Sequence, residues 1–288
     1  MEFPINDNIK ILLKQRLVEL ESYLNSDVLA FYGPIMDGTE NQFLQIIEQL
    51  VNDSQKKDSL YIILTTNGGS AISVERHVNI IRKHYSEVNF IVPDRAYSAG
   101  TIFCMSGNNI LMDYYSVLGP IDPQVQNKEG RFVPALGYLD KVNELIQKAQ
   151  NNELTQAEFI ILKEMDLAEL RGFEQAKELT IDLLQKWLVK YKFRDWTTHS
   201  HDPSRKVTEQ EKIKRAKDIA DKLSNNNIWK SHGRPINIET LENELQLKIQ
   251  NFGDDKKLTA LIRKYHSLAT DFINHNRINI FIQTRDFI

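Results

Sequence analysis

The sequence predicts an α/β fold, with a largely parallel sheet over residues 27 to about 125 and a helical C-terminal extension. Three observations predict it. Short β-rich runs alternate with stretches of helical periodicity in the first part, a rhythm that requires crossover connections between parallel strands. Those runs are apolar without polar alternation, as in strands covered on both faces. From Pro134 onward the pattern changes to long proline-free segments with apolar stripes. At 288 residues the chain has ample length for a full core. Two parts are expected, residues 1–200 as the main domain and 201–288 as the extension.

The elements follow in order. Val28–Tyr32 is apolar and closed by Gly33-Pro34, so it reads as a strand, and Asn41–Val51 carries Phe43, Ile46, Ile47 and Leu50 at helical spacing. Leu60–Leu64 is a buried strand ending in Thr65-Thr-Asn-Gly-Gly69, followed by a helix over Ala71–Tyr85. Val88–Val92 is the next strand, stopped by Pro93, and Ser98–Ser106 is a buried helix that starts with small residues. Asn109–Met112 and Ser116–Leu118 are short strands before Gly119-Pro-Ile-Asp-Pro123. Helices are expected over 136–150, 155–169, 172–192, 208–223, 238–245 and 256–274, with a final strand at 278–282.

Composition excludes several function classes. There are 36 Lys+Arg against 39 Asp+Glu, a net charge of −3, which gives no whole-protein attraction to nucleic acid. Five basic residues on the 208–222 helix are offset by acids and lack interleaved aromatics, so they read as a solvated face. The single cysteine, Cys104, excludes a disulfide framework and suits a reducing, cytoplasmic setting. The first eight residues lack a signal-peptide pattern, and no apolar run approaches the roughly 20 residues of a membrane span.

Two motifs carry chemistry together. Asn67-Gly68-Gly69 sits where a buried strand turns into a helix, and glycines there allow positive φ and leave N–H groups pointing into open space. Taken singly it reads as a tight turn. In Tyr97-Ser98-Ala99-Gly100-Thr101, the Ser98 hydroxyl lies at a helix start and the Ala99 N–H has no intrahelical partner, so it suits an oxyanion. Taken singly, Ser98 reads as an N-cap. Gly69 precedes Ser98 by 29 residues, with one helix and one strand between them. In a parallel crossover both turns fall at the carboxyl end of the sheet, where open α/β folds hold ligands.

Residues 60–125 resemble the Clp/crotonase-fold serine peptidases. Leu60–Gly69 is similar to the strand and Gly-Gly segment of the Clp proteolytic subunit, and Tyr97–Gly100 to its nucleophile motif. Gly119–Gln124 and Trp229-Lys-Ser-His-Gly-Arg-Pro-Ile236 resemble the serine dehydrogenase proteinase branch, related to signal peptide peptidase A. The resemblance implies a ClpP/crotonase-like ββα superhelix and a serine endopeptidase that cleaves peptide or unfolded protein. It implies Ser98 as nucleophile, Gly69 and Ala99 as oxyanion hole, and Gly68 and Asn67 along the substrate. It also implies homo-oligomers, and neither cofactor nor metal.

The Clp subunit's histidine would fall near Ile121-Asp122-Pro123-Gln124, which holds none. Signal peptide peptidases pair serine with lysine, and burial can lower a lysine pKa enough for that role. Lys141 is the closest counterpart by position, with Lys128 second, and a histidine such as His232 stays open. His77 lies on an apolar stripe and belongs to the core, and Asp122 before proline reads as a turn former or as the orienter of a base. His199, His201 and Asp202 lack a third ligand at a recognisable spacing. His84, His266 and His275 carry no motif. No phosphate-binding Gly-x-x-x-x-Gly-Lys-Ser/Thr loop is present, so an unfolding motor would be a separate protein. The competing functions are a non-catalytic peptidase-like scaffold and an acyl-CoA enzyme of crotonase type.

Overall fold

The computed structural model describes residues 4–126, 132–199 and 202–288. The strands are β1 (Asp27–Tyr32), β2 (Ser59–Thr65), β3 (Glu87–Ile91), β4 (Arg95–Ala96), β5 (Asn109–Met112), β6 (Val117–Leu118), β7 (Gln124–Gln126), β8 (Phe132–Pro134), β9 (Gln250–Asn251) and β10 (Phe281–Gln283). The helices are α1 (Pro4–Leu24), α2 (Glu40–Asn52), α3 (Ala71–His84), α4 (Ala99–Met105), α5 (Ala135–Gln150), α6 (Gln156–Lys163), α7 (Leu167–Trp187), α8 (Glu209–Leu223), α9 (Asn226–Trp229), α10 (Ile238–Asn243) and α11 (Lys256–Asn276).

Six strands form the central sheet in the order β10-β1-β2-β3-β5-β9, all parallel except β10, which runs antiparallel to β1. Register follows the apolar runs: Leu29 opposes Ile62, and Ile62 opposes Phe90. Alternate side chains feed two cores. Leu29, Phe31, Leu60, Ile62 and Phe90 pack with α2, α3, α4 and α7, while Val28, Ala30, Ile63 and Ile91 pack with α1 and α11. β1, β2 and β3 are therefore buried on both sides, which accounts for their lack of polar alternation.

The fold is the α/β architecture with a largely parallel sheet that the sequence predicted, with β10 and β9 at the two edges of the sheet. α1 is an element to which the sequence reading assigned nothing; Leu13, Leu17 and Leu20 line its buried stripe against α11. The helix expected over 155–169 breaks in two. The Asp166 carboxylate accepts the N–H groups of Ala168 and Glu169 and starts α7 there, which then runs unbroken through Gly172. Arg285 is 6% exposed and ion-pairs Glu21, Asp27 and Asp53, tying the end of β10 to α1, β1 and α2.

Candidate active site

The carboxyl end of β2 turns at Thr66–Gly69. Gly68 has φ +105 and Gly69 φ +144, and both positions exclude a side chain. A Cβ on Gly69 would lie 2.0 Å from the Ile35 carbonyl oxygen, and one on Gly68 would lie 2.8 Å from Ser98 Cβ. The turn is held from both sides. Ile35 donates to the Gly68 carbonyl at 2.9 Å and Ser70 donates to that of Ile35 at 2.8 Å, while Thr66 exchanges hydrogen bonds with Arg95 and Tyr97 beside β4. This pattern spends the N–H of Ser70 and passes over that of Gly69, which finds no acceptor among the described residues.

Ser98 has φ 52 and ψ −117, a conformation rare outside glycine. Holding it there costs on the order of 1–3 kcal/mol, and strain of this kind marks functional turns. Ser98 holds the N-cap position of α4, as the motif alone suggested, but its side chain makes no cap hydrogen bond and so is not spent on capping. The hydroxyl is free of partners among the described residues, as is the N–H of Ala99. Gly100 is required here because its Cβ would fall 2.4 Å from Thr66 Cγ2. Thr101, which the sequence reading passed over, fixes the start of α4. Its hydroxyl lies 2.8 Å and 2.9 Å from the carbonyls of Ala96 and Gly119 and accepts the Gly119 N–H.

Both turns open into one cleft of about 740 Å³. Asn67, Gly68, Gly69, Ser98 and Ala99 line it together, with Ile35, Ile102 and Ile121 on its walls and α7 across it. The Asn67 side chain is held by Arg95, whose Nε donates to Oδ1 at 2.7 Å. Asp37 stands at the rim, its pKa lowered by hydrogen bonds from Ser70 and Ser73. His232 lines the same cleft; its Nδ1 is enclosed without a partner among the described residues, and burial lowers its pKa from 6.5.

Lys141 is not brought to this cleft. On α5 its Nζ sits 2.9 Å from Glu144, and the side chain is 57% exposed, because the apolar stripe of α5 that packs on α7 lies on another face. Lys128 and His201 lie outside the described residues. Asp122 caps α5: its Oδ1 accepts the Leu136 N–H at 3.2 Å, and burial pushes its pKa up to about 6. His77 is fully buried and stacked 4.1 Å from Phe43, its pKa drawn down to about 4 by burial. His199 lies 3.4 Å from Glu211, and His266 Nδ1 lies 3.0 Å from the Tyr32 hydroxyl. Among the described residues no cluster of three or more potential metal ligands occurs, and no helix is long and apolar enough to cross a membrane.

Among curated proteins the chain is similar to two uncharacterized proteins of Methanocaldococcus jannaschii. One is 26% identical over 71% of this chain and 56% of the relative, the other 28% identical over 50% and 52%. The chain thus spans about half the length of the curated relatives it matches. Among solved structures it is similar to the membrane-bound stomatin-specific protease 1510-N, at 22% identity and TM-score 0.32 over 43% of this chain and 63% of that one. It is also similar to the ClpP protease catalytic domain of Plasmodium falciparum, at 16% identity and TM-score 0.32 over 60% and 89%. Residues 35–202 match the family of ClpP-like SDH-type serine proteinases, a span that holds the glycine turn, Ser98 and every described residue lining the cleft except His232. With more than half its length in that match, the chain belongs to the ClpP-like SDH-type serine proteinases.

Proposed function

We propose that the protein is a serine endopeptidase acting on peptide or unfolded protein chains, with Ser98 as nucleophile. The observation that carries this reading is the convergence on one cleft of a strained, unpartnered serine and two unspent backbone N–H groups, those of Gly69 and Ala99. Ser98 Oγ attacks the scissile carbonyl carbon, and the carbonyl oxygen takes up negative charge. Donors fixed before the reaction stabilise that charge without reorganising, and one such donor is worth on the order of 3 kcal/mol of barrier. Gly68 and Asn67 flank the carbonyl, with the substrate extended past the turn.

The lysine dyad implied by resemblance would require Lys141 to leave Glu144 and reach the cleft, so geometry favours a different proton acceptor. Assembly into a homo-oligomer accompanies this reading. α6 has no buried residue and exposes Phe159, Ile160 and Ile161 in succession, an apolar patch suited to a second copy. The test of the peptidase reading is Ser98→Ala. It should abolish cleavage of unfolded casein and labelling by a fluorophosphonate, with an unchanged circular dichroism spectrum. Undiminished labelling of that variant removes Ser98 from the chemistry and leaves a scaffold.

A further inference from the structure

We propose that His232 is the catalytic base that takes the Ser98 proton, an inference that rests on the peptidase reading above. His232 is 134 residues beyond Ser98 and in no local motif with it. Two anchors carry its segment to the cleft. On one side Trp229 is buried and its Nε1 donates to the Lys222 carbonyl at 2.7 Å, fixing α9 to the end of α8. Lys230 then adopts φ 65, which ends α9 and turns the chain. On the other side Ile236 and Leu118 exchange backbone hydrogen bonds, each of 2.9 Å. Leu118 pairs with Ala96 through β6 and β4, and Ala96 stands two residues before Ser98. The strand pairing that positions the nucleophile therefore also positions the segment that carries His232.

The chemistry of the cleft singles out this residue. Of the described residues lining it, only Asp37 and His232 are ionisable. Asp37 is exposed at the rim and held ionised by serine hydroxyls, a poor base toward an alcohol. α7 presents Ala176, Leu179 and Thr180 there, none of which titrates. On its own segment His232 is flanked by Lys230 and Arg234, both exposed. Burial disfavours the imidazolium, so the ring is neutral and able to accept a proton at pH 7. Its enclosed Nδ1 has no partner among the described residues.

The step balances as follows. The Ser98 Oγ–C bond forms as the carbonyl π pair moves onto oxygen, and the Oγ proton passes to the unprotonated ring nitrogen of His232. On collapse the C–N bond breaks and the imidazolium returns that proton to the leaving amine. Water then repeats the sequence on the acyl-enzyme, releasing the carboxyl product and regenerating Ser98.

The test compares the rate of fluorophosphonate labelling and kcat/KM for peptide cleavage in His232→Ala, His232→Gln, Lys141→Ala and Ser98→Ala. His232→Ala and His232→Gln should each lower both rates on the order of 10²–10⁴-fold, the usual worth of a general base. The wild-type rate should rise with pH through an apparent pKa below 6.5, a step absent from both histidine variants. If His232→Ala loses its fold by circular dichroism, His232→Gln gives the reading, since it retains a polar side chain. Full activity of the folded histidine variants beside an inactive Ser98→Ala overturns the assignment and leaves the peptidase standing. Loss in Lys141→Ala with full labelling in His232→Ala also overturns it, in favour of lysine. Activity in Ser98→Ala takes both readings down.

Discussion

Gly68 and Ser98 are in direct contact: a single methyl group added to Gly68 would sit 2.8 Å from the Ser98 Cβ. The strained backbone of Ser98 and the glycine turn are thus one packed unit, and a change in either is felt by the other. Gly68→Ala should keep the fold at a cost of about 1–3 kcal/mol and displace Ser98. Urea denaturation reads the first effect, and a drop of tenfold or more in fluorophosphonate labelling reads the second. Labelling at the wild-type rate would show that the contact is incidental to the chemistry.

Thr101→Val removes the hydroxyl shared by the Ala96 and Gly119 carbonyls and leaves the Gly119 N–H buried and unpaired. An unsatisfied buried group costs about 1–3 kcal/mol, so the urea midpoint should fall by a corresponding amount. Labelling of Ser98 should slow as well, because α4 carries the serine at its start. Thr101→Ser retains the hydroxyl and should recover most of both losses.

His77 predicts an acid limb in stability. Its pKa is about 4 in the fold against 6.5 in the unfolded chain, so between those values the unfolded state binds more protons. Stability is full above pH 6.5, falls as pH drops toward 4, and levels off below. The loss is on the order of 3 kcal/mol at 1.36 kcal/mol per pKa unit. Asp122 acts with the opposite sign, since its raised pKa of about 6 makes the protonated carboxyl better tolerated in the fold than in the unfolded chain. Its contribution grows as pH falls from 6 toward 3.8. Denaturant titrations from pH 7 to 4 should therefore show a shallower slope in His77→Phe than in the wild type. An identical slope would place the acid sensitivity elsewhere.

Arg285→Met leaves Asp27 and Glu21 buried without their cation. Breaking a buried ion pair from one side costs roughly 3–5 kcal/mol, and a thermal melt should register the loss far from the cleft. Labelling of Ser98 at temperatures where the variant stays folded should be close to that of the wild type.

The α6 patch is tested by a paired substitution, Phe159→Glu with Ile161→Lys. Sedimentation velocity should show a smaller species than the wild type, with the helical signal retained. An unchanged sedimentation coefficient would remove α6 from any interface.

The parts of this fold legible in the sequence are those set by near neighbours. β2, the Gly68-Gly69 turn and α4 follow from local apolar runs, backbone freedom and small residues. Their meeting at one end of the sheet follows from parallel crossover topology. What escaped is non-local. α1 carries Leu13, Leu17 and Leu20 at helical spacing, but only the seat offered by α11 makes that stripe a core element. The split between α6 and α7 turns on one capping carboxylate, Asp166, inside a stretch whose periodicity continues across it. His232 depends on the Ile236–Leu118 bridge, a pairing between residues more than a hundred positions apart that no local pattern announces.

The edge of the sheet beside β1 is closed by β10, which runs antiparallel to it. Gly33, two residues before the Ile35 that buttresses the glycine turn, is packed so tightly on the segment leading into β10 that a Cβ would lie 2.3 Å from the Asn279 carbonyl. Residues 279–285 thus back Gly33 and supply the arginine that pairs with Asp27. The edge strand and the glycine turn share one wall, so loosening of Asn279 is felt at Ile35 and, through its hydrogen bonds, at Gly68 and Ser70.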